Sequence, residues 1–308
     1  MINKIVAVQG NQLSKLNPIT DTSVFLAHEI QSKKYKIFYY EPKDLSVINS
    51  KVIASGVFVK FDYSKKIFFK ILKKQKLELT KCKFVLIRQD PPFNLEYIST
   101  TYILDSIKDK VKILNNPSAI RDISEKLYSV KYQKFMPNTI FTQNINEIKK
   151  FFKIHKKVIL KPIHSYSGND IFLLNRFNEK FIKKYIKKHD HIMCQKFLFK
   201  ISKGDKRVFI INGKVCGAIS RIPKKGSFLS NMSKGALPIS IQLTKKENRI
   251  SKLVAKDLKK ANIFFAGIDF IDQKLNGDIN VTSPTGLKTL YDLSGENLAK
   301  FFWKQLKT

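Results

Sequence analysis

Cysteine is scarce in this chain, with three in 308 residues at Cys82, Cys194 and Cys216. So small and widely spaced a set excludes a disulfide framework and a zinc site built on paired cysteines. It suits reduced thiols, so a cytoplasmic location is expected. No run of about eighteen apolar residues occurs, and no membrane partner is expected. The opening MINKIVAVQG reads as a first strand rather than a leader, because its apolar run is short and lacks a cleavage-like end. Acidic residues are few, 24 against 58 Lys and Arg, for a net charge of +34. Such an excess would suit nucleic acid. Yet only six of the basic residues are arginine, and the lysines are spread along the chain without forming an arm. Lysine, isoleucine, asparagine and phenylalanine are all abundant and share AT-rich codons, so genome composition accounts for the charge. No nucleic-acid partner is expected. The first strand is not followed by G-x-G-x-x-G, and G-x-x-x-x-G-K-[ST] is absent throughout, which excludes the dinucleotide and P-loop motifs. The five histidines are scattered and form no Cys–His or Ser–His–Asp pattern, which removes a covalent nucleophile from consideration.

What is present begins with strands alternating with helices: Lys4–Gln9, Lys36–Tyr40, Lys83–Arg88 and Val111–Leu114 as strands, with helical segments between them, including 21–32 and 95–108. That alternation predicts an α/β layer around a largely parallel sheet. Asn115-Asn116-Pro117 ends it, with Ser118 placed to cap the next helix. Helices and short strands follow. Val158-Ile159-Leu160-Lys161-Pro162 ends a strand in lysine, ahead of the small-residue loop His164–Asp170. Strands are expected at Ile192–Phe197, Arg207–Ile211 and Val215–Ser220, then a mobile loop over Lys224–Pro238. A long helix over Leu243–Ala261 carries Ile250, Leu253, Val254 and Leu258 at core spacing.

Gly267–Gly286 carries the sharpest chemistry. Asp269 sits among Ile268, Phe270 and Ile271, Asn276-Gly277 is expected to turn the chain, and Ile279 and Val281 then alternate with Asp278, Asn280 and Thr282. Alternation puts those three polar residues on one strand face. Paired as a hairpin, Asp269 can join them, giving two carboxylates and an amide oxygen around one point. That is a hard-oxygen set of the kind Mg²⁺ takes together with substrate phosphates.

Eight segments in order resemble the bacterial glutathione synthetases of the ATP-grasp fold. They are Arg88-Gln89-Asp90-Pro91-Pro92-Phe93, Asn115-Asn116-Pro117, Arg121-Asp122 with Glu125-Lys126-Leu127, Leu160-Lys161-Pro162, Gly204-Asp205-Lys206-Arg207-Val208, Arg221-Ile222-Pro223, Gly267-Ile268-Asp269 and Ile279–Gly286. The resemblance implies an N-terminal α/β, Rossmann-like domain (1–118), a central α+β ATP-grasp lid (119–190) and a C-terminal α+β ATP-grasp subdomain with the metal site (191–308). It implies a glutathione synthase: ATP phosphorylates the cysteinyl carboxylate of γ-glutamylcysteine, and the amine of glycine displaces phosphate. Arg207 and Arg221 match catalytic arginines. Lys126, Lys161, Gly168, Gln195, Phe197 and Leu198 match the ATP site. Arg88, Asp205, Asn231, Ser283, Pro284 and Thr285 match the substrate side. Asp269, Asp278 and Asn280 match ligands for Mg²⁺, with two ions expected and Mn²⁺ as a substitute, and a homotetramer is the implied assembly. The alternatives are an ATP-grasp ligase with another acceptor amine and a weakened nucleotide-binding homologue.

The chain departs from the family pattern in places. One glycine, Gly168, remains in a lid loop that the family makes glycine-rich. Asp278 replaces a glutamate and follows a one-residue insertion. Leu229 stands where the family has an arginine, with Lys234 as the expected source of replacement charge. Lys288 and Thr289 replace an arginine and a glutamate.

Overall fold

A computed structural model describes residues 4–63 and 65–308. Three sheets follow one another along the chain. The first contains β1 (Ile5–Gln9), β2 (Lys36–Tyr40), β3 (Leu45–Ile48), β4 (Lys51–Phe61), β5 (Phe69–Glu78), β6 (Phe84–Ile87) and β7 (Lys112–Leu114). Its order is β3-β4-β2-β1-β6-β7, with β5 also paired to β4. The β2-β1-β6-β7 part is parallel. Strands β1 and β6 are buried almost throughout, as parallel strands covered on both faces are. Helix α1 (Thr22–Gln31) follows β1; the Asp21 carboxylate caps it, accepting from the backbone N–H of Ser23 and Val24 at 2.6 and 3.0 Å. Helix α2 (Leu95–Asp105) lies between β6 and β7.

Between β2 and β6 the expected helical segments are replaced by three antiparallel strands. The β-branched Val52, Ile53, Val57 and Val59 favour extended backbone. Asn49 and Ser50, both at positive φ, close β3 onto β4 as a two-residue hairpin turn. The lysines of β5 are largely exposed, so an outward face crowded with charge hides the period of two.

Helix α3 (Pro117–Asp122) leads out of the first sheet, and its cap is the Asn116 side-chain Oδ1, which accepts from Ala119 N at 3.1 Å, not Ser118. The second sheet is antiparallel, β10-β9-β11-β8, built from β8 (Thr139–Thr142), β9 (Val158–Pro162), β10 (Phe172–Leu174) and β11 (Ile192–Lys196). Helices α4 (Ile145–His155) and α5 (Glu179–His189) cover one face, burying Ile148, Phe151, Ile182 and Tyr185 while their lysines face out. Strand β11 falls beyond the sequence boundary at Asp190, yet it pairs with both β8 and β9.

The third sheet, also antiparallel, runs β14-β13-β12-β15-β16, from β12 (Asp205–Ile211), β13 (Lys214–Ile222), β14 (Leu237–Ser240), β15 (Phe265–Ile271) and β16 (Lys274–Asn280). One face carries Val208, Ile210, Ile268, Phe270 and Ile279 against Ile250, Val254 and Leu258 of helix α6 (Lys245–Lys260). Alternation then turns Asp205, Arg207, Asp269, Asp278 and Asn280 to the opposite face, toward the second sheet. Helices α7 (Leu287–Ser294) and α8 (Leu298–Lys304) return to the first sheet, where Trp303 is fully buried and its indole N–H donates to Leu26 O at 2.8 Å. Among the described residues no helix is long and apolar enough to cross a membrane.

Candidate active site

A cleft of about 560 Å³ opens between the second and third sheets and reaches the ends of β1 and β6. That volume suits a nucleotide-sized ligand. On the third sheet, Asp269 of β15 lies directly opposite Arg207 of β12, and Arg221 of β13 directly opposite Asp205. Both pairs are two-pronged. Arg207 Nε and Nη2 donate to Asp269 Oδ1 and Oδ2 at 2.9 and 2.8 Å. Arg221 Nε donates to Asp205 Oδ1 at 2.7 Å, its Nη2 to Asp205 Oδ2, and Nη2 also meets Asp269 Oδ2 at 3.0 Å. All four side chains are buried, and the planar forks satisfy the carboxylates as a lysine could not. Burial pushes the Asp269 carboxyl up, but Arg207 and Arg221 outweigh it and hold it well below the usual carboxylate range.

Two lysines reach Asp278 from different elements. Lys161, the penultimate residue of β9, places Nζ 3.2 Å from Asp278 Oδ2, and Lys126, from the segment after α3, places Nζ 3.7 Å from Oδ1. Lys126 also donates to Ser165 O at 2.6 Å, tying it to the loop after β9. Burial would raise the Asp278 carboxyl; Lys161 and then Lys126 offset that and hold it below the ordinary value. Asn280 Nδ2 donates to Gly267 O at 3.1 Å and to Asp269 Oδ2 at 3.4 Å.

Asp269, Asp278 and Asn280 therefore line one cleft, on one face of the sheet. The hairpin between them differs from expectation. Asp272 and Gln273, both at positive φ, make the turn. Asn276-Gly277 instead lies inside β16 as a bulge: Ile268 pairs with Ile279 and Phe270 with Leu275, so Asp269 alone faces Asn276, Gly277 and Asp278. Gly277 sits at φ 90°, a conformation that favours glycine. An Asn-Gly pair is the strongest short hairpin signal, which is why the sequence points to the wrong turn.

Of the other sequence-predicted residues, Gly168, Gln195, Phe197, Leu198, Asp205, Asn231, Ser283 and Thr285 line the same cleft. Gln195 is fixed by a 2.9 Å bond from its Nε2 to Thr139 Oγ1. Arg88 and Pro284 are not on the wall. Arg88 is buried behind it, bonded to Ser23 Oγ at 3.1 Å and Pro284 O at 2.9 Å, so the pair braces the loop that presents Ser283 and Thr285. Leu229 lines the cleft, whereas Lys234 is not among its lining residues; it donates to Asn169 Oδ1 at 3.1 Å in an exposed contact.

Residues not singled out in the sequence as part of the site also belong to it. Glu125 Oε1 accepts from Val281 N, Thr282 N and Thr282 Oγ1 at 3.0, 3.2 and 2.8 Å, locking the end of the polar strand. Asn276 contacts both Lys161 and Asp278; its place in the Asn276, Asp278, Asn280 alternation was the available signal. Asn11, Lys15, Asp21 and Asp90 form the far end of the cleft, at the first sheet.

The donor set fits a hard divalent ion. Among the described residues no group of three or more His, Cys, Asp or Glu gathers. The set is two carboxylates and an amide amid four cations, which favours an ion completed by phosphate oxygens over a closed protein cage. The arrangement can neutralise a polyphosphate and a developing oxyanion; among the described residues no cysteine or histidine lines it.

Fold and site together define an ATP-grasp ligase. D-cycloserine synthetase DcsG shares the fold with a TM-score of 0.67 at 10% identity, covering 98% of both chains. D-alanyl-alanine synthetase A of Vibrio cholerae does so at 0.61 and 16% identity, covering 100% of this chain and 98% of its own. The ligase PsnB, solved with Mg and ADP, matches at 0.65 and 12%, covering 100% and 98%.

The chain belongs to the prokaryotic glutathione synthetase family: models of that family's N-terminal domain and ATP-grasp domain match residues 5–121 and 125–295. The glutathione synthetase of Agrobacterium fabrum is 30% identical over 315 residues, covering 99% of this chain and 96% of its own length. That of Buchnera aphidicola subsp. Baizongia pistaciae is 34% identical over 302 residues, covering 96% and 93%.

Proposed function

We propose that this ligase joins γ-glutamylcysteine to glycine at the expense of ATP, releasing glutathione, ADP and phosphate. The observation that carries the reading is the meeting of Lys126 and Lys161 on Asp278 beside the Arg207–Asp269 pair. Two ammoniums from the lid side and two guanidiniums from the third sheet surround the place where a terminal phosphate would pass to a carboxylate.

In this reading Gln195, Phe197 and Leu198 take the adenine end, and Gly168 covers the phosphates. Lys126 and Lys161 hold the phosphate chain. Asp269, Asp278 and Asn280 hold Mg²⁺, which when bound would neutralise phosphate charge and orient the transferred group. Arg207 and Arg221 stabilise the oxyanions of the acyl phosphate, whose carbonyl the glycine amine attacks as phosphate leaves. Asp205 orients Arg221. Ser283, Thr285 and Asn231 face the dipeptide, with Arg88 and Pro284 supporting them from behind. The division at 1–118, 119–190 and 191–308 is kept, with β11 moved to the lid because it pairs there. Free thiols at Cys82, Cys194 and Cys216 suit a cytoplasmic enzyme.

The test is ADP release from ATP with γ-glutamylcysteine, screened across amino-acid acceptors. Glycine should support the highest rate. Turnover with another acceptor alone would change the substrate, and no turnover with any acceptor would leave a nucleotide-binding homologue.

A further inference from the structure

We propose that Asn276 is a positioning residue of the nucleotide site: it keeps the Lys161 ammonium and the Asp278 carboxylate aligned and separately available, one to phosphate and the other to the metal. The inference rests on the ligase reading above.

The Lys161 side chain is only 5% exposed, so its three N–H donors need acceptors inside the protein. Asn276 supplies two of them, its main-chain O at 2.9 Å and its side-chain Oδ1 at 2.8 Å. Asp278 Oδ2 supplies the third at 3.2 Å, the longest of the three and the one a phosphate oxygen would take over. The Asn276 amide also donates to that same Oδ2, from Nδ2 at 3.2 Å. Lys161, Asn276 and Asp278 thus close a triangle in which each member touches the other two.

The neutrality of asparagine matters. It satisfies an ammonium without cancelling its charge, so Lys161 keeps its pull on an anion. Without the amide, Lys161 must draw harder on Asp278, the carboxylate a metal would share. Both donors of the triangle sit on Oδ2, leaving Oδ1 with Lys126 at 3.7 Å, beyond hydrogen-bonding distance. Oδ1 is the oxygen left for a cation.

The bulge explains how one residue presents two acceptors. In a regular strand a carbonyl points along the sheet to its neighbour, not onto the face where the side chain stands. The Asn276–Asp278 bulge breaks that ladder, and Gly277 at φ 90° lets the Asn276 carbonyl swing to the side of its own side chain.

The test uses the full chain with Asn276→Ala and with the isosteric Asn276→Asp. ADP affinity is measured by calorimetry with and without Mg²⁺, alongside thermal melts. Asn276→Ala should lose about tenfold in affinity for ADP with Mg²⁺, the equivalent of one hydrogen bond to a charged group. It should also need more Mg²⁺ to reach half-saturation. In a Lys161→Ala background the same change should cost little further, because the two act together. Asn276→Asp keeps the Lys161 acceptor but sets a second carboxylate against Asp278. It should bind ADP poorly without Mg²⁺ and recover to within about threefold of wild type when Mg²⁺ is added. Loss of affinity equal with and without Mg²⁺ in both variants, tracking a lowered Tm, would reduce Asn276 to a scaffold residue and overturn the proposal. Wild-type affinity and Mg²⁺ dependence in both would overturn it while leaving the ligase reading intact. Wild-type protein that binds no ADP under either condition would overturn both.

Discussion

Arg207 grips Asp269 from directly across the strand pair, Nε on Oδ1 at 2.9 Å and Nη2 on Oδ2 at 2.8 Å, both side chains buried. Arg221 shares the second oxygen at 3.0 Å. A carboxylate held so firmly is pre-oriented, as the metal-ligand role proposed for it requires.

Arg207→Lys should separate charge from geometry. The lysine keeps the positive charge but cannot span both oxygens. Loss of one oriented contact to a developing oxyanion lowers kcat by about a hundredfold. ADP affinity should change much less, since the nucleotide's phosphates rest mainly on Lys126 and Lys161 in the proposed reading. Steady-state ADP release and ADP calorimetry check both halves. An unchanged kcat would mean that charge alone suffices and that the fork is structural.

Asp278→Asn should reveal its stabilising role through pH. The folded carboxyl lies below its ordinary value of 3.8, with burial opposing the shift and Lys161 and Lys126 causing it. A depressed carboxyl contributes stability that is complete above its unfolded value and is lost as pH falls through the folded one. The Tm gap between wild type and Asp278→Asn should therefore be constant from pH 7 to about pH 5 and close below about pH 4. A gap that widens on acidification would contradict the ion pairing seen here. The loss at neutral pH should be clear, because removing one partner leaves two buried ammoniums short of a counter-charge.

The polar face of Asp278 and Asn280 was legible because a period of two survives in sequence, with Leu275, Gly277 and Ile279 buried on the other face. The parallel core of the first sheet was legible for a related reason: its strands are apolar runs, with α1 between β1 and β2 and α2 between β6 and β7, but the antiparallel β3, β4 and β5 between β2 and β6 were missed. Three further things were not legible. The bulge at Asn276-Gly277 replaces a turn that the same two letters would make elsewhere. The opposition of Arg207 to Asp269 depends on the register of strands about sixty residues apart, which no local pattern encodes. Asn115 read as part of a turn, yet its amide donates to Phe265 O and Val281 O at 2.7 Å each and accepts from Phe264 N and Phe265 N at 2.9 and 2.8 Å. Those four bonds fasten the end of the first sheet to the third, a long-range task invisible before folding.

The two loops over the cleft give the last prediction, and it reverses the sequence-based expectation for Lys234. That residue's ammonium meets Asn169 on the outside of the molecule, and the pair is exposed. Lys234→Ala should therefore leave the rate of ADP release within about twofold of wild type, as exposed polar pairs contribute little. Gly168 is where the loops close on each other. It sits at φ 73°, and a methyl carbon added there would lie 2.5 Å from Asn231 Oδ1 and 3.6 Å from Leu229 Cδ2. Gly168→Ala combines a disfavoured backbone conformation with a steric clash, so this loop must move away from Asn231 and open the cleft. A loss of about tenfold or more in kcat/KM for ATP is expected, corresponding to roughly 1–2 kcal/mol of strain. Leu229→Arg adds a guanidinium at a position that already lines the cleft. Its effect shows whether an apolar contact over Gly168 has taken the place of charge. An unchanged or lower rate means that Leu229 closes the loop by packing, and that is the outcome its proximity to Gly168 favours. A rate increase of about tenfold or more would instead show a site short of one cation. A Lys234→Ala variant that loses most of its rate would show that the lysine swings inward during turnover, against the contact with Asn169.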